Sequence, residues 1–232
     1  MGVPRLIFCA DGNPRHANIA VAEGWEYGAR LPARGLAPHP LAFADQDWKR
    51  PDRARYMACL ERHRPDLATV LDWEHPEQLP EVLSWAEEAA QRAAVAVLII
   101  PKVPGGVPDL PRVIGGKPVW LAYSVPTTYG GSPLGLWEFA GWPIHLLGGS
   151  PQKQREVWSY LRGIADVVSL DGNMAKKMAT GRCCYWTRQT TRHGHWQPIA
   201  RAVEHNAPDE CLRRSLRAVR AMWLGDLVVQ EV

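Results

Sequence analysis

The chain has 232 residues, 46% of them hydrophobic and 22% charged, with a formal net charge of +3. That composition excludes a disordered chain, the length suits one α/β domain with a large core, and the mild charge leaves the nature of any partner to local clustering of Arg and Lys. The five cysteines (Cys9, Cys59, Cys183, Cys184 and Cys211) are odd in number and lack C-x-x-C pairing, which argues against a disulfide framework and a zinc site; no basic-then-apolar leader or membrane-length apolar run is read, so a reducing cytoplasm is expected.

In chain order, an apolar run over residues 6–10 predicts a strand ending in Asp11-Gly12-Asn13, and Asn13 caps a helix from Pro14 to near Gly24. A weaker strand follows over residues 25–31. Pro51 opens a second helix with Tyr56, Met57 and Leu60 on its inner face. Residues 68–71 form a strand ending in Asp72-Trp73-Glu74-His75, and residues 76–94 read as a long alanine-rich helix. The run at 95–100 leads into Pro101-Lys102-Val103-Pro104-Gly105-Gly106. The run at 119–125 carries Ser124 and is followed by Thr127-Thr128-Tyr129-Gly130-Gly131. Residues 144–147 end in Gly148-Gly149-Ser150. Ser150 caps a helix from Pro151 to Gly163 that buries Val157, Trp158 and Leu161. Residues 167–170 end in Asp171-Gly172-Asn173. Residues 183–186 and 196–199 then predict either an eighth strand or a hairpin, and residues 208–223 a terminal helix.

Near-continuous apolar strands separated by helices predict a parallel sheet covered on both faces, and a barrel and an open doubly wound sheet both satisfy the pattern. In such folds chemistry gathers in the loops after the strands. Three strands deliver an aspartate there: Asp11, Asp72 and Asp171. Asp and Asn also serve as plain turn and cap residues, but three carboxylates on one rim repel one another and point to a purpose. The Gly148-Gly149 turn before a capped helix offers amides to a phosphate, or is simply a tight turn. His145, inside an apolar strand, reads as a satisfied core histidine, and His75 has no second histidine at ligand spacing. Basic residues cluster late: Lys176, Lys177, Arg182, Arg188 and Arg192, then Arg213, Arg217 and Arg220 on one face of the terminal helix, opposite Leu212, Leu216, Val219 and Trp223. They form a solvated face or a nucleic-acid footprint.

These turns resemble those of the queuine tRNA-ribosyltransferase (tRNA-guanine transglycosylase) superfamily, most nearly its short phage-type members that exchange guanine for a 7-deazaguanine in DNA. Asp11-Gly12-Asn13 stands where the family has Asp-Ser-Gly-Gly. Leu71-Asp72-Trp73-Glu74 looks like Phe-Asp-Glu, and Lys102-Val103-Pro104-Gly105-Gly106 is similar to Val-Gln-Gly-Gly with lysine for glutamine. Leu146-Leu147-Gly148-Gly149-Ser150-Pro151, followed by a helix, a strand and Asp171, matches Leu-Met-Gly-x-Gly-x-Pro and the nucleophile, with Asp166 as second choice. The family's C-x-C-x-x-C and histidine zinc site is absent; Cys183, Cys184 and His205 do not replace it.

The resemblance, over roughly residues 5–182, implies a single compact (β/α)8 TIM-like barrel domain over residues 1–232 without the zinc-binding subdomain, its basic segment 183–232 packed on it. It implies Asp171 as nucleophile and Asp11 as proton manager. Asp72, Lys102, Ser124, Gly148 and Gly149 would surround the base, with Trp73 and Tyr129 stacking on it. Lys176, Lys177, Arg182, Arg213, Arg217 and Arg220 would hold DNA, or with less reason tRNA, with a 7-deazaguanine as second substrate and no metal or cofactor. Two readings compete: a glycoside-hydrolase-like barrel using Asp72 and Glu74 with Asp171, and a non-catalytic nucleic-acid-binding module.

Overall fold

The computed structural model describes residues 2–33, 35–128, 130–186, 195–198 and 207–225. Its strands in chain order are β1 (Arg5–Cys9), β2 (Glu26–Leu31), β3 (Leu41–Gln46), β4 (Leu67–Trp73), β5 (Ala96–Pro101), the two-residue β6 (Val113–Ile114), β7 (Lys117–Ser124), β8 (Pro143–Leu147) and β9 (Asp166–Gly172). Each strand from β1 to β5 pairs in parallel with the next, β5 pairs with β7, and β7, β8 and β9 continue the series. Pairing of β9 with β1 closes the ring. Eight parallel strands thus make a TIM-like barrel, and the open-sheet alternative falls. β6 lies antiparallel to β7, outside the ring.

Seven barrel strands stand where apolar runs predict them, and one does not. The eighth is β3, a short alanine-rich segment, Leu41-Ala42-Phe43-Ala44-Asp45-Gln46, after a proline-containing loop. Burial within the ring, not strand propensity, makes it extended, and Phe43 is fully buried in the barrel. Of the two alternatives for residues 183–186 and 196–199, the hairpin holds: β10 (Cys183–Trp186) pairs antiparallel with β11 (His195–Pro198), apart from the ring.

The helices follow their caps. Asn13 accepts from the His16 amide at the start of α1 (Pro14–Ala22), and Ser150 from the Lys153 amide at the start of α4 (Pro151–Leu161). The second helix, α2 (Arg53–His63), begins two residues past Pro51 because Asp52 is its cap, accepting from the Arg55 amide. The run at 76–94 splits into a 3-10 turn and α3 (Leu79–Ala90). α5 (Met174–Thr180) follows β9, and α6 (Ala207–Leu224) packs on α1, α5 and β10. Among the described residues no helix is long and apolar enough to cross a membrane.

Two apolar layers hold the fold. Leu212, Leu216, Val219 and Trp223 on α6 join the layer between strands and helices, each contributing about 1.5–3 kcal/mol on burial. Inside the ring a second cluster contains Ile7, Cys9, Phe43, Leu67, Leu98, Ile100 and Ala122. Gly28 makes room there: a Cβ on it would stand 2.8 Å from Ile7 and 3.1 Å from the Cys9 sulfur. Followed toward the C-terminal mouth, inward rows turn from apolar to polar: Phe43 to Asp45, Ile100 to Lys102, Ala122 to Ser124. The floor is sealed and the mouth is charged.

Candidate active site

A cavity of about 510 Å³ opens at that mouth, within the size range of small-molecule sites. Asp11, Asp72 and Asp171 all line it, together with Lys102, Ser124, Gly148, Gly149 and Lys177. Strands far apart in sequence therefore bring most of the expected site residues to one place, as parallel closure requires.

Asp171 is the most constrained of them. It belongs to β9, is buried, and accepts from the Gly148 amide at 2.7 Å and from His145 Nε2 at 3.3 Å, both on Oδ1. The Cys9 sulfur lies 3.2 Å from Oδ2. Burial and the neighbouring Asp171 charge push the Cys9 thiol well above its usual range, so it keeps its proton and donates it to the carboxylate. Gly148 takes a left-handed φ of +65°, which lets the turn after β8 aim its amide at Asp171. That amide is therefore committed to Asp171. Gln154, buried on α4, closes the turn by donating to the Gly148 and Asp171 carbonyls at 2.8 and 2.6 Å.

His145 is a satisfied core residue, as its apolar strand suggests, but its partners belong to the site. It is fully buried, stacks on Phe43 with ring centroids 4.7 Å apart, and places Nδ1 2.8 Å from Ser169 Oγ. Its Nε2 faces the Asp171 carboxylate, which can only accept, so Nε2 carries the hydrogen of that contact and Nδ1 is left to the Ser169 hydroxyl.

Asp45 was invisible in the sequence because β3 was. It accepts from Thr69 Oγ1 at 3.1 Å and lines the cavity. Desolvation first and the Asp171 charge second raise its pKa to about 8; the Thr69 hydrogen bond opposes them, Asp72 adds less, and Arg30 opposes least. It carries a proton at neutral pH. A signal for it existed: an apolar run ending in Asp, in a gap between residues 31 and 68 too long for one crossover helix.

Asp72 and Glu74 share Lys102, whose Nζ contacts both carboxylates, Glu74 at 2.8 Å. Burial raises the Asp72 pKa despite Lys102, while exposed Glu74 is lowered chiefly by its hydrogen bond to Lys102. For Lys102 burial opposes the charge, but the hydrogen bonds to Asp72 and Glu74 carry its pKa upward overall. A β-bulge between Thr69 and Asp72 is what turns the Asp72 side chain into the cavity.

Asp11 sits higher, past the end of β1, in a left-handed conformation with φ 48°, and pairs with Lys176 at 2.9 Å. Trp73 is buried in the outer layer, packed on Gly106, and does not face the cavity; Trp48, 54% exposed after β3, does. Tyr129, Arg188, Arg192 and His205 lie outside the described residues. Asp166 begins β9 at the opposite end of the barrel. Arg182 is exposed beyond α5 and does not line the cavity. Arg217 pairs with Glu23 at 3.0 Å and Arg220 approaches Gly24, both at the foot of α1, whereas Arg15 and Asp209 pair at the helix starts beside the mouth. α6 thus runs away from the mouth and carries Arg217 and Arg220 to the far end; helical periodicity could not show this, because it fixes a face and not a direction. Arg213, half-buried, lies between.

Fold and site together define a TIM-like α/β-barrel protein with an aspartate-lined cavity at the C-terminal mouth. The chain belongs to a family of unknown function, DUF6610, which matches residues 20–224. No curated protein matches it.

Proposed function

We propose that the protein is a base-exchange transglycosylase that replaces guanine in DNA with a 7-deazaguanine, such as 7-cyano-7-deazaguanine, through a covalent aspartyl-sugar intermediate. The observation that carries this reading is the pairing, in one nucleotide-sized cavity, of a rigidly held carboxylate (Asp171) with a carboxyl that keeps its proton (Asp45).

Asp171 Oδ1 holds two donors, the Gly148 amide and His145, whereas Oδ2 accepts from the Cys9 thiol, a weak donor, so Oδ2 is the better oxygen to attack C1′ of the sugar. As the C–O bond forms, the bond from C1′ to the base nitrogen breaks, and Asp45 gives its proton to the departing base. In the return step the incoming base loses a proton to Asp45, its nitrogen attacks C1′, and the Asp171 carboxylate leaves. Asp45 thereby takes the proton-managing role that sequence assigned to Asp11, since Asp11 is tied to Lys176 on the rim. Asp72 has an oxygen to offer a guanine N1–H and amino group, with Lys102 fixing its position and Ser124 on the neighbouring wall. Trp48 presents an exposed indole at the entrance, suited to stacking on a base that has left the duplex. DNA as the polymer follows the family resemblance.

The same acid and nucleophile suit hydrolysis of a small glycoside, with water as the acceptor. One experiment separates the readings. Guanine-containing DNA and tRNA are incubated in parallel with labelled guanine or 7-cyano-7-deazaguanine, with denaturing gels for adducts. Exchange into DNA with a denaturant-stable adduct absent in Asp171→Ala supports the proposal. Base or sugar release without incorporation favours hydrolysis, and neither adduct nor exchange with either polymer overturns it.

A further inference from the structure

Most charged groups around the mouth stand in close pairs. Asp11 is matched by Lys176, Asp72 and Glu74 share Lys102, and Asp45 is protonated. Two cations remain. Arg30, on β2, and Lys177, on α5, both line the cavity and are exposed, and neither side chain makes a hydrogen bond or an ion pair among the described residues. The carboxyl nearest Arg30 in register is Asp45, its Cα partner across β2 and β3; Arg30 acts on it through its charge, but the two form no ion pair.

Their placement is one-sided. β9, β1 and β2 are neighbours in the ring, so Lys177 and Arg30 flank the Asp11–Lys176 pair on one arc of the rim. β4, β5 and β7 form the facing arc and carry Asp72, Lys102 and Ser124. A molecule spanning the cavity meets donor-accepting groups on one side and two unmatched cations on the other. Guanidinium offers a planar fork of donors that fits the oxygens of a phosphate, and an ammonium adds a second point of charge. The Gly148 turn does not compete for that phosphate, because its amide already serves Asp171.

We propose that Arg30 and Lys177 form an anion subsite that binds the phosphate on the sugar whose base lies toward Asp72. The assignment of the base side rests on the function proposed above; the subsite itself rests on the two unmatched cations.

The test is calorimetric titration of the full chain with four probes: deoxyguanosine, its 5′-monophosphate, its 3′-monophosphate and inorganic phosphate. Wild type is compared with Arg30→Gln, Arg30→Lys, Lys177→Gln and, as a control away from the cavity, Arg217→Gln, with thermal melts to show that each variant folds. At least one monophosphate is expected to bind about ten-fold or more tighter than the nucleoside. That advantage should disappear in Arg30→Gln, shrink in Lys177→Gln, survive in part in Arg30→Lys and stay unchanged in Arg217→Gln. Equal binding of nucleoside and nucleotide, or an advantage intact in Arg30→Gln, overturns the subsite. Inorganic phosphate binding as tightly as the nucleotides overturns its assignment to a sugar phosphate. Arg30-dependent nucleotide binding without any covalent adduct keeps the subsite and removes the transglycosylase, whereas adduct formation in Arg30→Gln at unchanged KM does the reverse.

Discussion

The tripeptide Asp-Gly-Asn ends two neighbouring strands, β1 and β9, and its two copies occupy different environments. Asp171 is level with Ile7 in the β1–β9 register, so Asp11 lies four positions further along β1. At about 3.3 Å per strand residue that difference separates the floor of the cavity from its rim. The lower copy is still in the sheet, where an amide, an imidazole and a thiol fix its carboxylate. The upper copy has left the sheet, turned through a left-handed residue, and found a flexible lysine. Identical residues acquire different chemistry from depth alone, because depth sets both how many donors converge on a carboxylate and how much water it keeps.

That contrast is open to attack, first through the two aspartates themselves. Asp171→Asn is expected to abolish the adduct and lower the exchange rate by about 10⁴-fold, as loss of a nucleophile does, while Asp11→Asn costs about ten-fold or less. Equal losses in single-turnover assays would show that depth does not separate the two roles.

Asp45→Asn addresses the proton. A loss of about 10²–10³-fold is expected at neutral pH, and the wild-type rate should fall above about pH 8 as Asp45 ionises. Stability gives an independent reading. Asp45 holds a proton in the fold up to about 8 but loses it near the ordinary 3.8 when unfolded, so the folded state binds more protons between those values. Its contribution is complete below about pH 4 and is lost as pH rises through about 8. The melting temperature should decline across that window in the wild type and flatten in Asp45→Asn. An unchanged slope would mean that Asp45 is ionised in the fold.

Smaller effects test the scaffold beneath the comparison. Gln154→Leu deprives the buried Gly148 and Asp171 carbonyls of their donor and should cost about 1–3 kcal/mol in denaturant unfolding. Activity should fall beyond the stability loss, because the same turn aims the Gly148 amide. The smallest effect is expected of Arg217→Gln. Its exposed guanidinium pairs with a Glu23 side chain that is only 10% exposed, so a loss of about 1 kcal/mol is expected, and DNA affinity should not change. A marked loss of affinity would bring the far end of the barrel into the nucleic-acid footprint.

Much of this was legible in the sequence, for identifiable reasons. Asn13 and Ser150 announce their helices because a cap acts on an amide three residues away, and the apolar runs announce seven strands because burial on both faces demands them. Asp11, Asp72 and Asp171 were readable as strand-end residues. β3 was not readable, since alanines next to prolines carry little strand signal, and with it went Asp45 and Trp48. Arg30 gives no signal for a related reason: in a weak strand an arginine looks like an exposed side chain until a ring closes around it.

The sequence by itself determined where strands stop, which helices are capped, and which residues stand at the turns, because these depend on forces acting within a few residues. Tertiary structure alone decided that Asp171 is deep and Asp11 shallow, that Asp45 keeps its proton, and that the Arg30 and Lys177 side chains stand at the cavity without an ion pair among the described residues. Those outcomes depend on strand register, ring closure and desolvation, which come into being only when segments distant in the chain share one interior.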